Sequence, residues 1–170
     1  MIQNNKKVIG NEEDASDVLG IKAADSDAEK GELDIAAYGD VARQIHQRFP
    51  QLSHIAITLR ESISADANNW GAMLHDCKAG ADFLAPLNKD GEYSPYPIHD
   101  IVDRVGGGDS FAAGLLFALN TDGLSSPETA IKFAVASSCL KHSIPGDFNY
   151  VTRDEVEALM KGNTSGRVRR

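Results

Sequence analysis

The chain has 170 residues, of which 42% are hydrophobic and 25% charged, as expected for one soluble globular domain. Its formal net charge of −8 argues against a nucleic-acid surface, which is normally basic, and no apolar run reaches membrane-spanning length. The first ten residues lack the apolar core of a signal peptide, and Cys77 and Cys139 have neither metal nor redox spacing. We therefore expect a cytoplasmic protein with free thiols and with neither nucleic acid nor membrane as a partner.

Strand and helix patterns alternate from the start of the chain. A strand stub at 8–9 precedes a short helix that begins after the N-cap Asn11, runs through residue 19 and ends at Gly20. The polar segment 22–33 reads as a loop or insertion. Apolar residues at helical spacing predict a helix over 34–49, which Pro50 stops.

The alternation continues in the second half of the chain. The predicted strands are 54–59, a β pair at 70–75 and 81–85, and 98–102. The predicted helices are 109–120, one from Ser126-Pro127 to 142, and one that reaches 161 from a capping box at 152–155. Residues 162–170 form a tail. This order predicts an α/β fold with a mostly parallel sheet covered by helices, whose ligands bind at the carboxyl ends of the strands.

The most informative segment lies where the last of these strands would meet a helix. Gly106, Gly107 and Gly108 run directly into Asp109 and an apolar helical pattern. Glycines let backbone N–H groups approach a ligand closely, and a helix start that follows them is a ready anion site. Asp109 beside a bound phosphoryl group is suited to accept a hydroxyl proton. The plain alternative is a glycine-rich turn with Asp109 as a helix N-cap.

The longer string Asp-Arg-Val-Gly-Gly-Gly-Asp-Ser-Phe at 103–111 resembles the C-terminal signature Asp-Thr-x-Gly-Ala-Gly-Asp-x-Phe of the ribokinase-like (PfkB) carbohydrate kinases. Segments 10–15, 57–62, 141–149 and 165–170 add to the resemblance, which is strongest to the bacterial 2-keto-3-deoxygluconate kinases. Only the C-terminal half of that family is matched. We therefore expect residues 1–170 to form a single partial domain, the nucleotide-binding half without the N-terminal half and its β lid.

The resemblance implies ATP-dependent transfer of the γ-phosphoryl group to a primary hydroxyl of 2-keto-3-deoxygluconate. In that reaction Asp109 is implied to be the catalytic base, and the backbone N–H groups of Gly106, Gly107 and Gly108 are implied to form the anion hole. ATP and Mg²⁺ are the implied cofactors, although no side chain is assigned as a direct ligand of the metal.

Further residues match positions that contact the nucleotide or the sugar in the family. Those implied to contact ATP are Asn11, Thr58, Arg60 and Val135. Asp14 ends an Asn-x-x-Asp string that resembles the family's Asn-x-x-Glu motif, which implies a role in organising Mg²⁺ and phosphate, and Asp147 is implied to bind the sugar. Asp103 is implied to be structural or close to a monovalent cation. Because Arg104 replaces a Thr that is common in the family, the resemblance does not decide whether this chain has that cation site.

Each of these positions also has an ordinary structural explanation. Asn11 caps a helix whose dipole the acid at Asp14 complements. Arg60 is equally consistent with a surface charge at the end of a strand, and Asp147 with a turn aspartate after Pro-Gly. Val135 is apolar and is equally consistent with the core.

The function therefore has alternatives. The chain is also consistent with a truncated, non-catalytic nucleotide-binding fragment, because phosphoryl transfer depends on positioning two substrates. It is also consistent with a ribokinase-like kinase for another sugar, such as fructose. The expected partners are a small sugar acid and ATP, with a homo-oligomer or a missing N-terminal half as a further possibility.

Overall fold

A computed structural model describes residues 6–21 and 35–162. The predicted loop 22–33 and, apart from Gly162, the predicted tail lie outside the described residues. The strands are β1 (Lys6–Gly10), β2 (Leu52–Ser62), β3 (Asn68–Asp76), β4 (Ala81–Ala85) and β5 (Tyr96–Ile98). The helices are α1 (Glu12–Leu19), α2 (Ile35–Arg48), α3 (Gly107–Leu119), α4 (Pro127–Lys141) and α5 (Arg153–Met160).

The described strands form one mixed sheet in the order β1-β2-β3-β4, with β5 also paired to β3. Only β1 and β2 run parallel, and the other three pairings are antiparallel. The expectation of a mostly parallel sheet is therefore wrong for these strands, although the α/β class is confirmed. The reason is connection length, since residues 63–67 and 77–80 are too few for the crossover that parallel neighbours need.

Helices cover both faces of the sheet, because side chains alternate along each strand. Ile55, Ile57 and Leu59 of β2 pack with α1 and α2 in one core. Ala56 belongs to the other core, which β3 shares with α3, α4 and α5. None of the helices within residues 6–21 and 35–162 is long and apolar enough to cross a membrane.

Local sequence signals set most of the helix ends. The side chain of Asn11 caps α1, Gly20 ends it in a left-handed conformation with φ 68°, and Ser126 caps α4 ahead of Pro127. Thr152 and Glu155 form the predicted capping box of α5. These expectations are confirmed, and the β3–β4 pair is confirmed as well.

Two boundaries near the glycine segment differ from the prediction. No strand covers 98–102, because the chain leaves β5 at Ile98 and Val102 donates its N–H to the carbonyl of His142 at 2.9 Å. Val102 is 58% exposed, so its apolar side chain gave a false strand signal. Helix α3 begins at Gly107, two residues before the predicted start, because left-handed Gly106 serves as its N-cap.

Candidate active site

The first turn of α3 presents open backbone donors. Gly106 has φ 78° and no side-chain bond caps the helix. The N–H of Gly107 donates to the carbonyl of Arg104 at 3.3 Å, whereas the N–H groups of Gly108 and Asp109 have no acceptor among the described residues. Orphan N–H groups and the positive end of the helix dipole together form a site for an anion.

Asp109 is the third residue of α3 and is exposed in its first turn. The plain alternative of Asp109 as N-cap is wrong, because Gly106 occupies that position. Within the described part of the chain the Asp109 carboxylate accepts no hydrogen bond. A carboxylate beside an anion site, with its lone pairs available, is placed to accept a proton from a reacting hydroxyl.

A cavity of about 250 Å³ lies next to this helix start. It brings together residues from five elements (α1, α2, β2, β3 and α3) and from the turn after β1: Asn11, Glu13, Tyr38, Thr58, Arg60, Trp70 and Gly108. Four of these, Asn11, Thr58, Arg60 and Gly108, are residues that the sequence analysis assigned to ATP or to the anion hole. They meet because β1 and β2 are parallel, so Asn11 and the end of β2 lie at one edge of the sheet.

Arg60 provides the positive charge of this cavity. Its side chain is exposed and lies opposite Trp70 in the β2–β3 ladder, and half-buried Thr58 shares its face of the strand. Among residues 6–21 and 35–162, no carboxylate forms an ion pair with Arg60, so within this part of the chain its guanidinium donors are available to a ligand. A guanidinium binds phosphate oxygens through two parallel N–H donors.

The acids of α1 divide between two roles. The side chain of Asn11 accepts from the N–H of Asp14 at 2.8 Å, and Asp14 accepts from the N–H of Asn11 at 2.9 Å, which forms a capping box. Asp14 lines a separate, mainly apolar cavity, while Glu13 lines the polar cavity with Arg60. The role of Asp14 in organising Mg²⁺ stays a prediction. Sequence reasoning missed Glu13, whose position in an acidic helix start was the available signal.

Asp147 lies beside the anion site, and Val135 does not. Asp147 is exposed in the loop after α4, and its backbone carbonyl packs directly against Gly106. Val135 is fully buried in the core that joins α3, α4 and the sheet, and it does not line the polar cavity. Its predicted contact with ATP stays a prediction, and its buried position matches the alternative of a core residue.

The Asp103 carboxylate binds the backbone on both sides of the glycine turn. Its carboxylate accepts from the N–H of Val105 at 2.9 Å and from the N–H of Gly146 at 2.8 Å. These backbone bonds, helped by the positive charge of Lys141, hold the pKa of Asp103 below its ordinary value. Arg104 turns away from the anion site and donates to the carbonyls of Ser64 and Ala65, both at 2.8 Å.

The buried rings of Trp70 and His142 pack beneath the first turn of α3. Trp70 is 5% exposed and donates from Nε1 to the Ser138 hydroxyl at 2.7 Å. Its ring lies 5.1 Å from that of His142, which in turn lies under Gly107. Burial lowers the pKa of His142 below its ordinary value of 6.5, while its bond to the carbonyl of Ser138 acts in the opposite direction. Trp70 therefore belongs to the core, as expected, and also to the wall of the cavity.

Known proteins match this chain in both sequence and fold. Residues 75–149 match the pfkB family of carbohydrate kinases. Over 67 residues the chain is 37% identical to 2-dehydro-3-deoxygalactonokinase from Haloferax volcanii. This aligned stretch covers 39% of this chain and 20% of that protein. This sequence match covers less than half of the chain, and together with the fold it makes the chain similar to the pfkB family of carbohydrate kinases.

Two solved structures extend the likeness to nearly the whole chain. One is the 2-dehydro-3-deoxygluconokinase from Thermotoga maritima, which is 38% identical with a TM-score of 0.74 over 92% of this chain. The other is a PfkB family carbohydrate kinase from Listeria grayi, which is 26% identical with a TM-score of 0.70 over the same share. In both comparisons this chain spans 41% of the solved protein. The ribokinase-like fold class is therefore confirmed.

Proposed function

We propose that this chain provides the ATP site and catalytic base of a sugar kinase that phosphorylates a primary hydroxyl of 2-keto-3-deoxygluconate. The observation that carries the proposal is the open first turn of α3, where Asp109 adjoins the free N–H of Gly108 at the wall of the polar cavity. The same cavity collects Asn11, Thr58 and Arg60, which lie far apart in sequence.

The cavity suits the phosphate end of a nucleotide. Arg60 and the donors of Gly108 and Asp109 are complementary to phosphate oxygens, and Thr58 adds a hydroxyl from the neighbouring strand. Donors that are already fixed in place gain strength as charge develops on the transferring group, and losing one typically costs about 100- to 1000-fold in rate. The rigid helix start fixes the donors of Gly108 and Asp109 before any substrate binds.

Asp109 takes the proton in the proposed step. The acceptor hydroxyl oxygen forms a bond to the γ-phosphorus of ATP, the bond from that phosphorus to the bridging oxygen of ADP breaks, and the hydroxyl proton passes to the Asp109 carboxylate. Products are ADP and the phosphorylated sugar acid, so charge and atoms balance. Because the Asp109 carboxylate has no other hydrogen-bond partner in the described part of the chain, it is available for this transfer.

The residues present are compatible with Mg²⁺ bound mainly through the nucleotide. The described residues contain no cluster of three or more histidine, cysteine or carboxylate side chains that could hold a metal ion. Mg²⁺ in kinases usually keeps several waters and binds through one or two carboxylates and the substrate phosphates. Glu13 lines the cavity and Asp109 follows Gly108, another of its lining residues, so Mg²⁺ held near these carboxylates would neutralise charge on the transferring phosphoryl group.

The choice of acceptor rests on the relatives and on Asp147. The Thermotoga maritima protein is named for 2-dehydro-3-deoxygluconate, a synonym of 2-keto-3-deoxygluconate, and the Haloferax volcanii protein for the galactonate isomer. Exposed Asp147, whose backbone adjoins Gly106, is placed to accept hydrogen bonds from sugar hydroxyls. A kinase for another sugar, such as fructose, is the alternative within the same fold.

ADP release from ATP and Mg²⁺ tests the proposal. The purified chain is assayed without acceptor and with 2-keto-3-deoxygluconate, its galactonate isomer or fructose. Release that depends on 2-keto-3-deoxygluconate supports the proposal, and release only with fructose supports the alternative acceptor. ATP binding by calorimetry without release under any condition would contradict catalysis by this chain and leave a nucleotide-binding module.

A further inference from the structure

Lys141 is a fully buried cation that the proposed reaction does not use. It is the last residue of α4, its side chain has 0% exposure, and its Nζ donates to the carbonyl of Ile144 at 3.0 Å. Burying an ammonium group is costly unless oxygen atoms and negative charge compensate it. A lysine retained in such a place therefore needs a local partner.

Lys141 bonds to one of the two segments that frame the glycine turn, and that segment is bonded to the other. The carbonyl of Ile144 belongs to the loop that carries Gly146 and Asp147. The carboxylate of Asp103, whose pKa is lowered first by bonds from Val105 and Gly146 and then by the charge of Lys141, holds the turn from the other side. The ammonium group thus bonds directly to the loop, which Gly146 ties to Asp103, and acts on Asp103 itself only through its charge.

The two other basic side chains next to the glycine turn, Arg104 and His142, do not compensate Asp103. Arg104 donates to the carbonyls of Ser64 and Ala65 in the turn between β2 and β3. His142 lies on the same loop, but burial lowers its pKa, so it favours the neutral form. Lys141 is therefore the charged group that compensates Asp103 beneath the anion site.

We propose that the Lys141 ammonium orders the loop beside the anion site and supplies the positive charge that a bound monovalent metal ion would otherwise provide there. The family resemblance implied a monovalent cation near Asp103, but a lysine that already supplies the charge there does not fit such a site. Nucleotide binding by this chain then does not depend on K⁺. This inference rests on the proposed function for its ATP readout, while the loop-ordering part stands independently.

The test compares Lys141→Met with Lys132→Met in the full chain. Methionine keeps most of the apolar stem and removes the charge, and Lys132 lies on the same helix in an i,i+4 pair with Glu128, 34% exposed. Hydrogen exchange of residues 142–147 is measured first, because it requires neither ATP nor activity. Loss of a charge-assisted bond predicts about tenfold faster exchange in Lys141→Met and no change in Lys132→Met.

The second readout is ATP affinity in K⁺ and in tetramethylammonium buffers. We expect the wild-type affinity to be the same in both, and that of Lys141→Ala to be weak but restored by K⁺ or propylammonium. A wild-type chain that requires K⁺, or exchange in Lys141→Met equal to that of wild type, would overturn the inference. The wild-type comparison needs no variant, so a misfolded variant does not remove the test. Absence of ATP binding in wild type would refute the proposed function, while the exchange data still decide the role of Lys141.

Discussion

The backbone carbonyl of Asp147 packs so closely against Gly106 that no side chain fits at position 106. This contact joins the loop after α4 to the N-cap of α3 and thereby fixes where the first-turn donors point. The residue proposed to bind the sugar and the turn proposed to bind phosphate are thus built as one unit. The two residues are in contact but lie about forty positions apart in the sequence, so a short sequence motif does not predict their contact.

Gly106→Ala is expected to destabilise the chain more than Gly123→Ala. Both glycines have left-handed backbones, with φ 78° and 81°, so alanine adds a similar backbone strain of about 1–2 kcal/mol at either site. Only at Gly106 does the new Cβ meet a carbonyl, that of Asp147, whereas nothing lies within 4 Å at Gly123. Urea unfolding of both variants measures the difference, and equal losses would show that the Asp147 contact is unimportant.

Asp109→Asn is expected to abolish phosphoryl transfer while ATP binding persists. The amide keeps the shape of the side chain but cannot act as a base at neutral pH, and positioned bases typically contribute about 10²- to 10⁴-fold. ADP release and calorimetric ATP affinity are measured together. Asp122→Asn, an exposed change beyond the other end of α3, is the matched control. Turnover in Asp109→Asn comparable to wild type would remove Asp109 from the role of base.

Glu13 and Asp14 are expected to separate into a ligand role and a structural role. Glu13→Gln removes a carboxylate from the cavity and should weaken Mg²⁺-ATP binding with little effect on stability. Asp14→Ala removes half of the capping box and should cost about 1 kcal/mol in the free energy of unfolding. Calorimetry and urea unfolding on both variants decide the matter. A large loss of Mg²⁺-ATP affinity in Asp14→Ala alone would favour the role that the family resemblance implied.

The stability of the fold is expected to fall as the pH drops below the ordinary histidine pKa of 6.5. Burial lowers the pKa of both His142 and His54 in the folded chain. The unfolded chain then binds protons that the folded chain does not, so this stability is complete above pH 6.5 and decreases below it.

The measurement is the free energy of unfolding between about pH 7.5 and 5.5, a range that contains the ordinary histidine pKa. His142→Gln should flatten the pH dependence, whatever it does to absolute stability. A steeper decrease toward low pH in His142→Gln would contradict a depressed pKa.

The sequence was sufficient where a structure depends on a few adjacent residues. The caps at Asn11, Ser126 and Thr152 are local signals, and each helix begins where they indicate. The contiguous glycines 106–108 and the apolar pattern after them likewise predicted a glycine turn at a helix start, which the structure confirms, while its role as an anion site stays a prediction.

What the sequence did not predict depends on partners distant along the chain. The antiparallel direction of β3 follows from connection length, which the strand patterns alone did not weigh. The apolar Val102 resembled a strand residue but is exposed, since its N–H bonds to His142 instead of to a neighbouring strand. Which acid of α1 faces the cavity, and that Lys141 is buried, are decided by tertiary packing.

The most direct test of the account is an ATP titration that follows the fluorescence of Trp70. It is the single tryptophan of the chain and lines the cavity assigned to phosphate. We expect a saturable change confirmed by calorimetry, with Arg60→Gln weakening the affinity about tenfold or more through loss of charge-assisted bonds. Arg153→Gln, which disrupts only a surface pair with Glu157, should bind as wild type does. No saturable change and no heat of binding, or unaltered affinity in Arg60→Gln, would contradict the assignment of this cavity.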